Sequence, residues 1–383
     1  MEYKLEELFD LQMGKTPSRN NPEYWNTEDN KWISIADLSK CGKYIETTKE
    51  HISNNAVTES GISQIPENTV IMSFKLSIGK TAITSEPMYS NEAIMSFRDR
   101  HVIDLLPDYL YYLFSGKDWD VGTNKAVMGN TLNKATLSKV KIRVHDIQKQ
   151  KEIVDVLDKV RGIITARQQQ LQKLDELVKA RFVEMFGDPV SNPHGFEKVA
   201  LEELADIKIG PFGSLLHKED YVENCHALVN PSHIVEGKIS VDNKLTVSDD
   251  KYAELSAYHL KIGDVVMGRR GEMGRCAVVT DEGLLCGTGS LLIRTKGKVT
   301  ADYIQKIISF PSFKKTIEDM AVGQTMLNLN VPIVSGFQII KPPIEVQKSY
   351  YDFVAQIDKS KFVEIIELLN LLIYTITKEV SPW

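Results

Sequence analysis

Cysteine is scarce and unclustered in this chain, with four residues among 383 and no C-x-x-C pair. Such usage supports neither a disulfide framework nor a zinc-finger pattern. Long apolar runs are missing too, because the most apolar stretch, Ile365 to Ile376, is interrupted by Glu367 and Asn370 and falls well short of the ~20 residues that cross a bilayer. We therefore expect no membrane span and a reduced, cytoplasmic location.

An excess of positive charge is also missing, since 46 Lys and Arg face 52 Asp and Glu. The formal net charge of −6 excludes a histone-like protein that coats nucleic acid through bulk charge. It leaves open a protein whose basic residues are concentrated in one cleft.

Cys225-His226 with His233 comes closest to a metal-ligand cluster, and we expect no metal there. The acidic, amphipathic N-terminus is unlike a secretory signal.

The sequence contains an internal repeat. Short matches recur in the same order at offsets of 194 to 197 residues, whereas chance matches would scatter. They are Leu5–Asp10 with Leu201–Asp206, Gly14 and Ser18 with Gly210 and Ser214, Val70–Met72 with Val265–Met267, Gly79-Lys80 with Gly274-Arg275, Asp108–Leu110 with Asp302–Ile304, and Gln150-Lys151 with Gln347-Lys348.

Each half closes with a long amphipathic helix. The first is predicted from about Asp146 to Met185 and is ended by Pro189 and Pro193; the second starts near Ile344. Apolar residues fall on the alternating 4–3 spacing of a coiled-coil seam, with Arg167 at one position of the first helix. The seam residues are Ile153, Leu157, Val160, Ile164, Leu171, Leu174 and Val178 in the first helix, and Phe362, Ile365, Leu369, Leu372 and Ile376 in the second.

These patterns predict an α+β protein with two repeated domains of mixed sheet and short helices. The two long helices can bury their seams by packing on each other, so we expect an antiparallel coiled coil that joins the domains. The predicted boundaries are residues 1–145 for the first domain, 146–186 for the central helix, 187–342 for the second domain and 343–383 for the C-terminal helix.

An ordered set of local motifs carries a resemblance over essentially the whole chain: Gly14-Lys15-Thr16-Pro17-Ser18, Asn21-Pro22-Glu23-Tyr24-Trp25, Trp32 to Leu38, Arg181 to Gly187, and Gly210-Pro211-Phe212-Gly213-Ser214. With these motifs the chain resembles the specificity subunits of Type I restriction–modification enzymes. The second half departs from the first, because it lacks the Asn-Pro-Glu-Tyr-Trp stretch and has Val229-Asn230-Pro231-Ser232 in place of Ile33 to Ala36.

The resemblance implies a non-catalytic subunit with two target-recognition domains. Its target would be double-stranded DNA with two half-sites separated by a gap. Its partners would be two methyltransferase subunits and, in the complete enzyme, restriction/translocase subunits. No cofactor is expected in this chain, since S-adenosylmethionine, ATP and Mg would belong to the partner subunits.

The candidate DNA contacts are basic and amide side chains in turns at matching positions of the repeat. Arginine pairs bidentately with guanine, Asn and Gln pair with adenine, and Lys or Ser contacts phosphate. The candidates are Lys15, Ser18, Arg19, Lys75, Lys80, Asn130, Asn133 and Lys134 in the first half, and Ser214, Lys218, Arg269, Arg270, Arg275, Gln324, Asn328 and Asn330 in the second.

Each candidate also has a plainer interpretation. The arginines could form a solvated loop that Glu272 partly neutralises, and the Gly, Pro, Ser and Asn residues are ordinary turn formers. For Trp25 and Trp32 we favour a core or lid role over stacking on bases.

The rival functions are a DNA methyltransferase or nuclease with an unrecognised active site, and a coiled-coil scaffold without DNA binding. Three incomplete motifs argue against the enzymes. Gly79-Lys80-Thr81 has Phe74 where a phosphate-binding loop needs Gly, Asn21-Pro22-Glu23-Tyr24 has Glu where adenine methyltransferases have Pro, and Glu219 stands where a nuclease core needs Pro upstream of Glu236-Gly237-Lys238.

Overall fold

The structure, a computed structural model, describes residues 1–75, 77–119, 124–126, 129–131, 133–321 and 328–375. Side chains are not described for residues 124–126, 129–131, 214, 364 and 366–375. Among the predicted residues, Gln324 and Ile376 therefore lie outside the described residues, and the side chains of Asn130, Ser214, Leu369 and Leu372 do as well. No helix in the described ranges is long and apolar enough to cross a membrane.

The chain forms two compact units: the first contains Met1–Ala166 and the described residues from Leu371 onward, and the second contains Arg167–Asn370. The elements of the first unit are β1 Glu2–Lys4, α1 Leu5–Leu8, β2 Phe9–Met13, β3 Asn30–Ile33, α2 Ile35–Leu38, β4 Tyr44–Ile45, β5 Glu50–Ile52, α3 Asn54–Ser60, β6 Val70–Ser73, β7 Thr81–Thr84, β8 Tyr89–Ser90, β9 Ile94–Asp99, α4 Pro107–Ser115, β10 Asn124–Ala126, β11 Gly129–Thr131, α5 Lys134–Ser138 and β12 Lys141–Arg143. The long helix α6, Ile147–Phe186, runs from the first unit into the second.

The second unit repeats this order with a few additions. Its further elements are β13 Lys198–Ala200, α7 Leu201–Leu204, β14 Ala205–Ile209, β15 Tyr221–Val222, β16 His226–Val229, β17 Ile234–Val235, β18 Lys238–Ile239, β19 Thr246–Val247, α8 Asp249–Glu254, β20 Val265–Gly268, β21 Cys276–Val278, β22 Leu285–Cys286, β23 Ser290–Thr295, α9 Ala301–Ile308, α10 Pro311–Met320, α11 Val331–Ser335, β24 Gln338–Ile340 and α12 Ile344–Thr375.

The repeat predicted from the sequence is present in the strand pairing. The main sheet has the order β2-β9-β6-β7-β4 in the first unit and β14-β23-β20-β21 in the second. Parallel pairs occur at matching places in a second sheet of each unit, with Trp32 opposite Tyr89 in the first unit and Leu228 opposite Leu285 in the second. Leu228 follows Trp32, and Leu285 follows Tyr89, by the same number of residues. The paired strands therefore have the same register in both domains.

Large aromatic side chains fill the core of each unit. In the first, Phe97 lies edge-on to Phe9 and Phe114, with ring centroids 5.8 and 4.7 Å apart. In the second, Phe182 and Phe186 from the end of α6 are fully buried beside Tyr303 and Tyr350. The last turn of α6 is thus part of the second domain's core, which gives the Arg181–Gly187 motif a packing role.

Helix α6 begins and ends at identifiable signals. The Asp146 side chain accepts a hydrogen bond from the backbone N–H of Lys149 at 2.9 Å, which caps the first turn. Gly187 ends the helix with a φ of 71°, a conformation in which glycine avoids the Cβ strain of other residues. Sequence analysis attributed this end to Pro189 and Pro193, but Gly187 precedes both.

The 4–3 seam predicted in α6 matches the burial of its side chains. Val160, Ile164, Leu171, Leu174 and Val178 are half-buried, as is Arg167, while most residues between them are exposed. The first two predicted seam residues behave differently. Ile153 is 6% exposed and Leu157 packs beside it in the first domain's own core, so these two residues anchor α6 to that domain.

Within the second unit α6 and α12 pack antiparallel. The Tyr350 hydroxyl donates to the backbone oxygen of Val178 at 3.3 Å, and eleven residues further along α12 the Lys361 ammonium lies 2.5 Å from Asp175. The residue numbers of these contacts increase along α12 and decrease along α6, as expected for antiparallel helices. The predicted orientation is correct for these described segments.

The predicted seam register of α12 is wrong at its described positions. Phe362 is 64% exposed and Ile365 is 42% exposed, whereas Val354, Ile357 and Lys361 are half-buried. The spacing from Tyr350 through Val354 and Ile357 therefore arrives at Lys361, whose ammonium is held by Asp175. Phe362 is one residue, about 100° of helix, away from that face.

A buried glutamine fastens each long helix to its own domain. Gln150 is fully buried, accepts the backbone N–H of Leu106 at 3.0 Å and donates to the oxygens of Asp104 and His145, both at 2.9 Å. Gln347 is likewise fully buried and accepts the N–H of Thr300 at 3.0 Å. The Gln-Lys match in the sequence thus reflects a repeated polar contact, because buried backbone groups need partners.

Candidate nucleic-acid interface

Three loops of the second unit meet at one edge of its main sheet. At the end of β14, Gly210 approaches Gly287 so closely that a Cβ atom on Gly210 would lie 2.0 Å from the Gly287 oxygen. From the turn after β20, the backbone N–H of Arg269 donates to the Gly289 oxygen at 3.0 Å. The loop at 287–289 therefore links the Gly210 loop to the arginines.

The arginines lie in the turn between β20 and β21, which we call the second basic turn (Gly268–Arg275). The Arg269 Nε donates to Asn328 Oδ1 at 3.2 Å, and the Arg269 backbone oxygen accepts the N–H of Leu329 at 2.9 Å. Burial, and then the adjacent charge of Arg270, lowers the pKa of the Arg269 guanidinium. Arg269 is thus oriented by its neighbours, while Arg270 is exposed.

Glu272 neutralises part of this turn, as the plainer interpretation anticipated. Its carboxylate lies 2.8 Å from Arg275 and 3.0 Å from Lys314. Hydrogen bonds from Arg275, and then from Lys314, hold the pKa of Glu272 below its usual range. Arg275 also donates to the Pro231 oxygen at 3.1 Å. Arg275 is therefore engaged within the protein, unlike Arg270.

The first unit builds the corresponding edge. A Cβ atom on Gly14 would lie 2.2 Å from the Ser90 oxygen, and the N–H of Lys15 donates to that oxygen at 2.8 Å. In the turn after β6, the backbone N–H of Phe74 donates to the Ala93 oxygen at 3.0 Å. We call the described residues 74, 75 and 77–80 the first basic turn; it contains Lys75 and Lys80.

Several candidates of the first unit already have partners. Arg19 makes a bidentate pair with Glu50, whose carboxylate raises the pKa of the guanidinium, and it stacks 3.6 Å above the Trp25 ring. Lys15 donates to the Ser60 oxygen and Lys80 to the Ser39 hydroxyl. Ser18 is exposed.

The tryptophans support the core interpretation. Trp32 is 2% exposed and lies edge-on to Trp25, with ring centroids 4.9 Å apart. With Arg19 and Glu50 they form a cluster beside the loop; of the lysines at this edge, Lys15 is exposed and Lys75 and Lys80 are half-buried.

The asparagines at matching positions cap helices. Asn133 Oδ1 accepts the N–H of Thr136 at 2.8 Å, and Asn330 Oδ1 accepts the N–H of Ile333 at 3.0 Å. Bidentate adenine reading needs both amide atoms, so these contacts favour capping for both residues. Asn328 orients Arg269 instead.

Two candidate lysines are exposed. Lys134 lies in the first turn of α5, and Lys218 lies at the start of the 3₁₀ turn Lys218–Asp220.

Sequence analysis did not include Phe212 among the candidate contacts. Its side chain is 60% exposed in the loop that Gly210 fixes against Gly287. An exposed aromatic side chain is suited to packing against nucleotides. In the sequence, Phe212 stands between Gly210 and Gly213. That pattern served only as part of the motif that carries the family resemblance.

The incomplete enzyme motifs serve as ordinary turns and caps. Gly79-Lys80-Thr81 leads into strand β7, whereas a phosphate-binding loop leads into a helix. Asn21 caps the 3₁₀ turn Pro22–Tyr24, with Oδ1 accepting the N–H of Glu23 at 3.2 Å. Glu236 and Gly237 form the tight turn between β17 and β18, with φ angles of 50° and 76°.

Comparison with known proteins agrees with this duplicated arrangement. The model of the Type I restriction modification DNA specificity domain matches residues 1–176 and again residues 193–371. The Type I restriction enzyme MjaIX specificity subunit of Methanocaldococcus jannaschii is 27% identical in an alignment 288 positions long, which covers 68% of this chain and 66% of that protein. The MjaVIII specificity subunit of the same organism is 22% identical over 77% of this chain and 74% of its own length.

Solved structures show the same fold. A chain from a study of complex assembly and conformational transition of the type I R-M system superposes with a TM-score of 0.65 at 14% identity, covering 97% of this chain and 94% of that one. The S subunit of a Type I restriction–modification system from M. genitalium gives 0.53 at 12% identity, covering 98% and 94%.

Proposed function

The chain belongs to the family of Type I restriction–modification DNA specificity domains, which it matches twice in succession, and from this premise we propose that it reads a two-part DNA target. Each domain reads one half-site of double-stranded DNA. The chain itself is non-catalytic, and its recognition directs the chemistry of other subunits.

The observation that carries this proposal is the repeated edge with a basic turn in each unit. Both edges depend on a glycine, Gly14 or Gly210, that lets a loop lie directly against the neighbouring strand end. Both place Lys or Arg on a rigid turn between two paired strands of the main sheet. Cations on turns between paired strands can position phosphates and read guanine edges; Arg270 is exposed, and the others are half-buried.

The partners belong to the same proposal. Two methyltransferase subunits and, in the complete enzyme, restriction/translocase subunits dock on the long helices and bring S-adenosylmethionine, ATP and Mg. The exposed apolar residues Phe362, Val363 and Ile365 of α12 support docking there, since they are 64%, 47% and 42% exposed. Exposed apolar clusters of this kind commonly mark protein–protein contacts.

The test is a double substitution, Arg269→Gln with Arg270→Gln, measured in the assembled complex across a salt series. If both residues contact phosphate, affinity falls evenly for all sequences and the slope of log affinity against log salt becomes shallower by about 0.9 per contact. If either pairs with guanine, discrimination at one base pair relaxes by about 1–3 kcal/mol.

A matched control is Lys296→Gln, which removes one charge from the opposite end of β23. That strand begins after Gly289 and has six residues, about 20 Å at ~3.3 Å per residue. The control should bind DNA like the unmodified chain. Unchanged affinity and sequence choice in the double variant would remove the second basic turn from the interface.

The rival enzyme function is tested separately. The pure chain, incubated with labelled methyl donor and DNA, should transfer no label, and it should leave the DNA uncut when Mg is present. Transfer or cleavage by the chain alone would replace this proposal with a methyltransferase or nuclease.

A further inference from the structure

A mixed cluster of metal-binding side chains lies in the second unit, apart from the basic turn. The ligand atoms of Cys225, His226 and Asp249 all lie within 4.8 Å of one another. His226 Nε2 is 2.9 Å from Asp249 Oδ1, and Cys225 Sγ is 3.9 Å from the same oxygen. Sequence analysis grouped Cys225 and His226 with His233 and expected no metal there; in the structure His233 is buried against the oxygen of Leu228. Asp249, at the start of α8, completes the group instead.

The hydrogen bonds of His226 fix which ring nitrogen presents a lone pair. Its Nδ1 lies 3.2 Å from the Gly283 oxygen, and a carbonyl oxygen only accepts, so Nδ1 carries the hydrogen. In the neutral imidazole Nε2 then faces Asp249 with a lone pair. A carboxylate oxygen at 2.9 Å also offers only lone pairs, so a proton or a cation must lie between the two groups.

Ring stacking also holds the His226 imidazole in place. The Tyr252 ring stacks on His226 with centroids 3.8 Å apart and an interplanar angle of 15°. His259 in turn stacks on Tyr252, with centroids 3.8 Å apart and an interplanar angle of 14°. Metal-binding histidines usually donate their second nitrogen to a backbone carbonyl, which orients the ring. His226 has this contact and a stacked support.

We propose that Cys225 Sγ, His226 Nε2 and Asp249 Oδ1 bind a zinc-class transition-metal ion. Thiolate, imidazole and carboxylate are the three ligand types that Zn²⁺ takes in tetrahedral sites, and water completes the fourth position. Mg²⁺ and Ca²⁺ prefer oxygen ligands alone. Ligands bound at ~2.0–2.3 Å in a tetrahedron lie about 3.3–3.7 Å apart. The pairs that include Asp249 are 2.9 and 3.9 Å apart, and all three atoms lie within 4.8 Å of one another, so rotation of the exposed Cys225 and Asp249 side chains would bring them to the ion.

The ion would join two separate parts of the domain, and the hydrogen bond from His226 to Gly283 links a third. Cys225 and His226 stand at the start of β16, Asp249 opens α8, and Gly283 precedes β22. The other end of β16 leads to Asn230 and Pro231 beside the second basic turn. The site therefore has a structural role, since it fixes the strand that supports that edge without contacting it.

The test uses the full chain, without an affinity tag, titrated with Co²⁺ and Zn²⁺. We expect one Co²⁺ per chain, the visible absorption of a tetrahedral ion, a thiolate-to-metal band, and displacement by Zn²⁺. Cys225→Ser should abolish the thiolate band and weaken Zn²⁺ binding at least tenfold. Asp249→Asn should weaken binding similarly while the band persists, because the thiolate remains.

The chain supplies its own control in Cys41→Ser, which removes a half-buried thiol in the first unit and should leave the titration unchanged. Burial raises the pKa of the Cys276 and Cys286 thiols to about 12, so neither competes for the ion at neutral pH. Cys225 is exposed, so its replacement by Ser should not unfold the domain. The absence of Co²⁺ binding, or equal binding by Cys225→Ser, would overturn the proposal and identify the His226–Asp249 contact as an ion pair with protonated imidazole.

Discussion

Glu272 is the one acidic side chain among the cations of the second basic turn. It lies within 3.0 Å of Lys314 and 2.8 Å of Arg275, so both cations are partly neutralised where DNA would approach. Each is partly exposed, and the pairs themselves contribute little to stability. The carboxylate therefore matters mainly for the charge that the turn presents.

Replacing Glu272 with Gln should strengthen DNA binding. The change releases Arg275 and Lys314 from their shared anion and removes a repulsion of phosphate. We expect tighter binding at low salt, with a slope of log affinity against log salt that becomes steeper by about 1. Glu254→Gln removes a carboxylate whose partner is Lys251, which also pairs with Asp220, and it should leave the slope unchanged. Weaker binding by Glu272→Gln would show that the ion pairs hold the turn in its binding shape.

Asn330 distinguishes helix capping from base reading. Its oxygen accepts the N–H of Ile333 at 3.0 Å, so Asn330→Ala should reduce the free energy of unfolding by about 1 kcal/mol. Asn330→Ser keeps a capping oxygen and removes the amide, so it should retain both stability and sequence choice. Denaturant unfolding and binding to a panel of half-site variants measure the two effects. A serine variant that stays stable but loses discrimination would assign Asn330 to base reading.

Side-chain roles could be predicted from the sequence only in part. The repeat located the two basic turns, because matching positions carry cations. It could not show that Arg19 is held by Glu50, 31 residues away, or that Asn328 orients Arg269 across 59 residues. Availability for DNA depends on such long-range partners, which no local pattern contains.

At the scale of elements, the buried glutamines are the most specific part of the repeat. Gln347 accepts the N–H of Thr300 and donates to the Pro342 oxygen at 2.9 Å. Gln347→Ala removes the partners of the buried Pro342 oxygen and of the partly buried Thr300 N–H; a buried group left without a partner costs about 1–3 kcal/mol. We expect a clear loss of the free energy of unfolding in denaturant. Lys348→Ala, an exposed neighbour, should stay near the original value. Equal stability of the two variants would mean that water replaces the glutamine.

Helix prediction from periodicity succeeded for length and failed for register in α12. The bounds of α6 agree with the prediction within one residue at each end, since 40 residues of regular pattern leave little ambiguity. In α12 the apolar residues Phe362 and Ile365 suggested a seam, yet the inward position at this level is Lys361. A lysine with a long apolar stem can occupy a seam position when an acid receives its charge, as Asp175 does here. Apolar spacing alone does not reveal that exchange.

At the scale of the whole molecule, two similar domains are connected through one continuous helix. α6 passes from the first unit into the second without a break, and a continuous helix transmits distance and rotation where a flexible linker would not. The half-buried seam at Ile164, Arg167 and Leu171 continues through the point where the units divide. We therefore predict that the helix length sets the gap between the two half-sites.

An insertion of four residues at Thr165 tests this prediction. It adds roughly 6 Å at ~1.5 Å per residue and nearly one turn, so the seam keeps its face. Because B-DNA rises ~3.4 Å per base pair, the gap should lengthen by at most about two base pairs while both half-site sequences persist. A two-residue insertion turns the seam by about 200° and should impair assembly instead. Mapping methylated sites across the genome for both variants measures the gap. An active four-residue variant that retained the original gap would show that the helices serve only as docking surfaces.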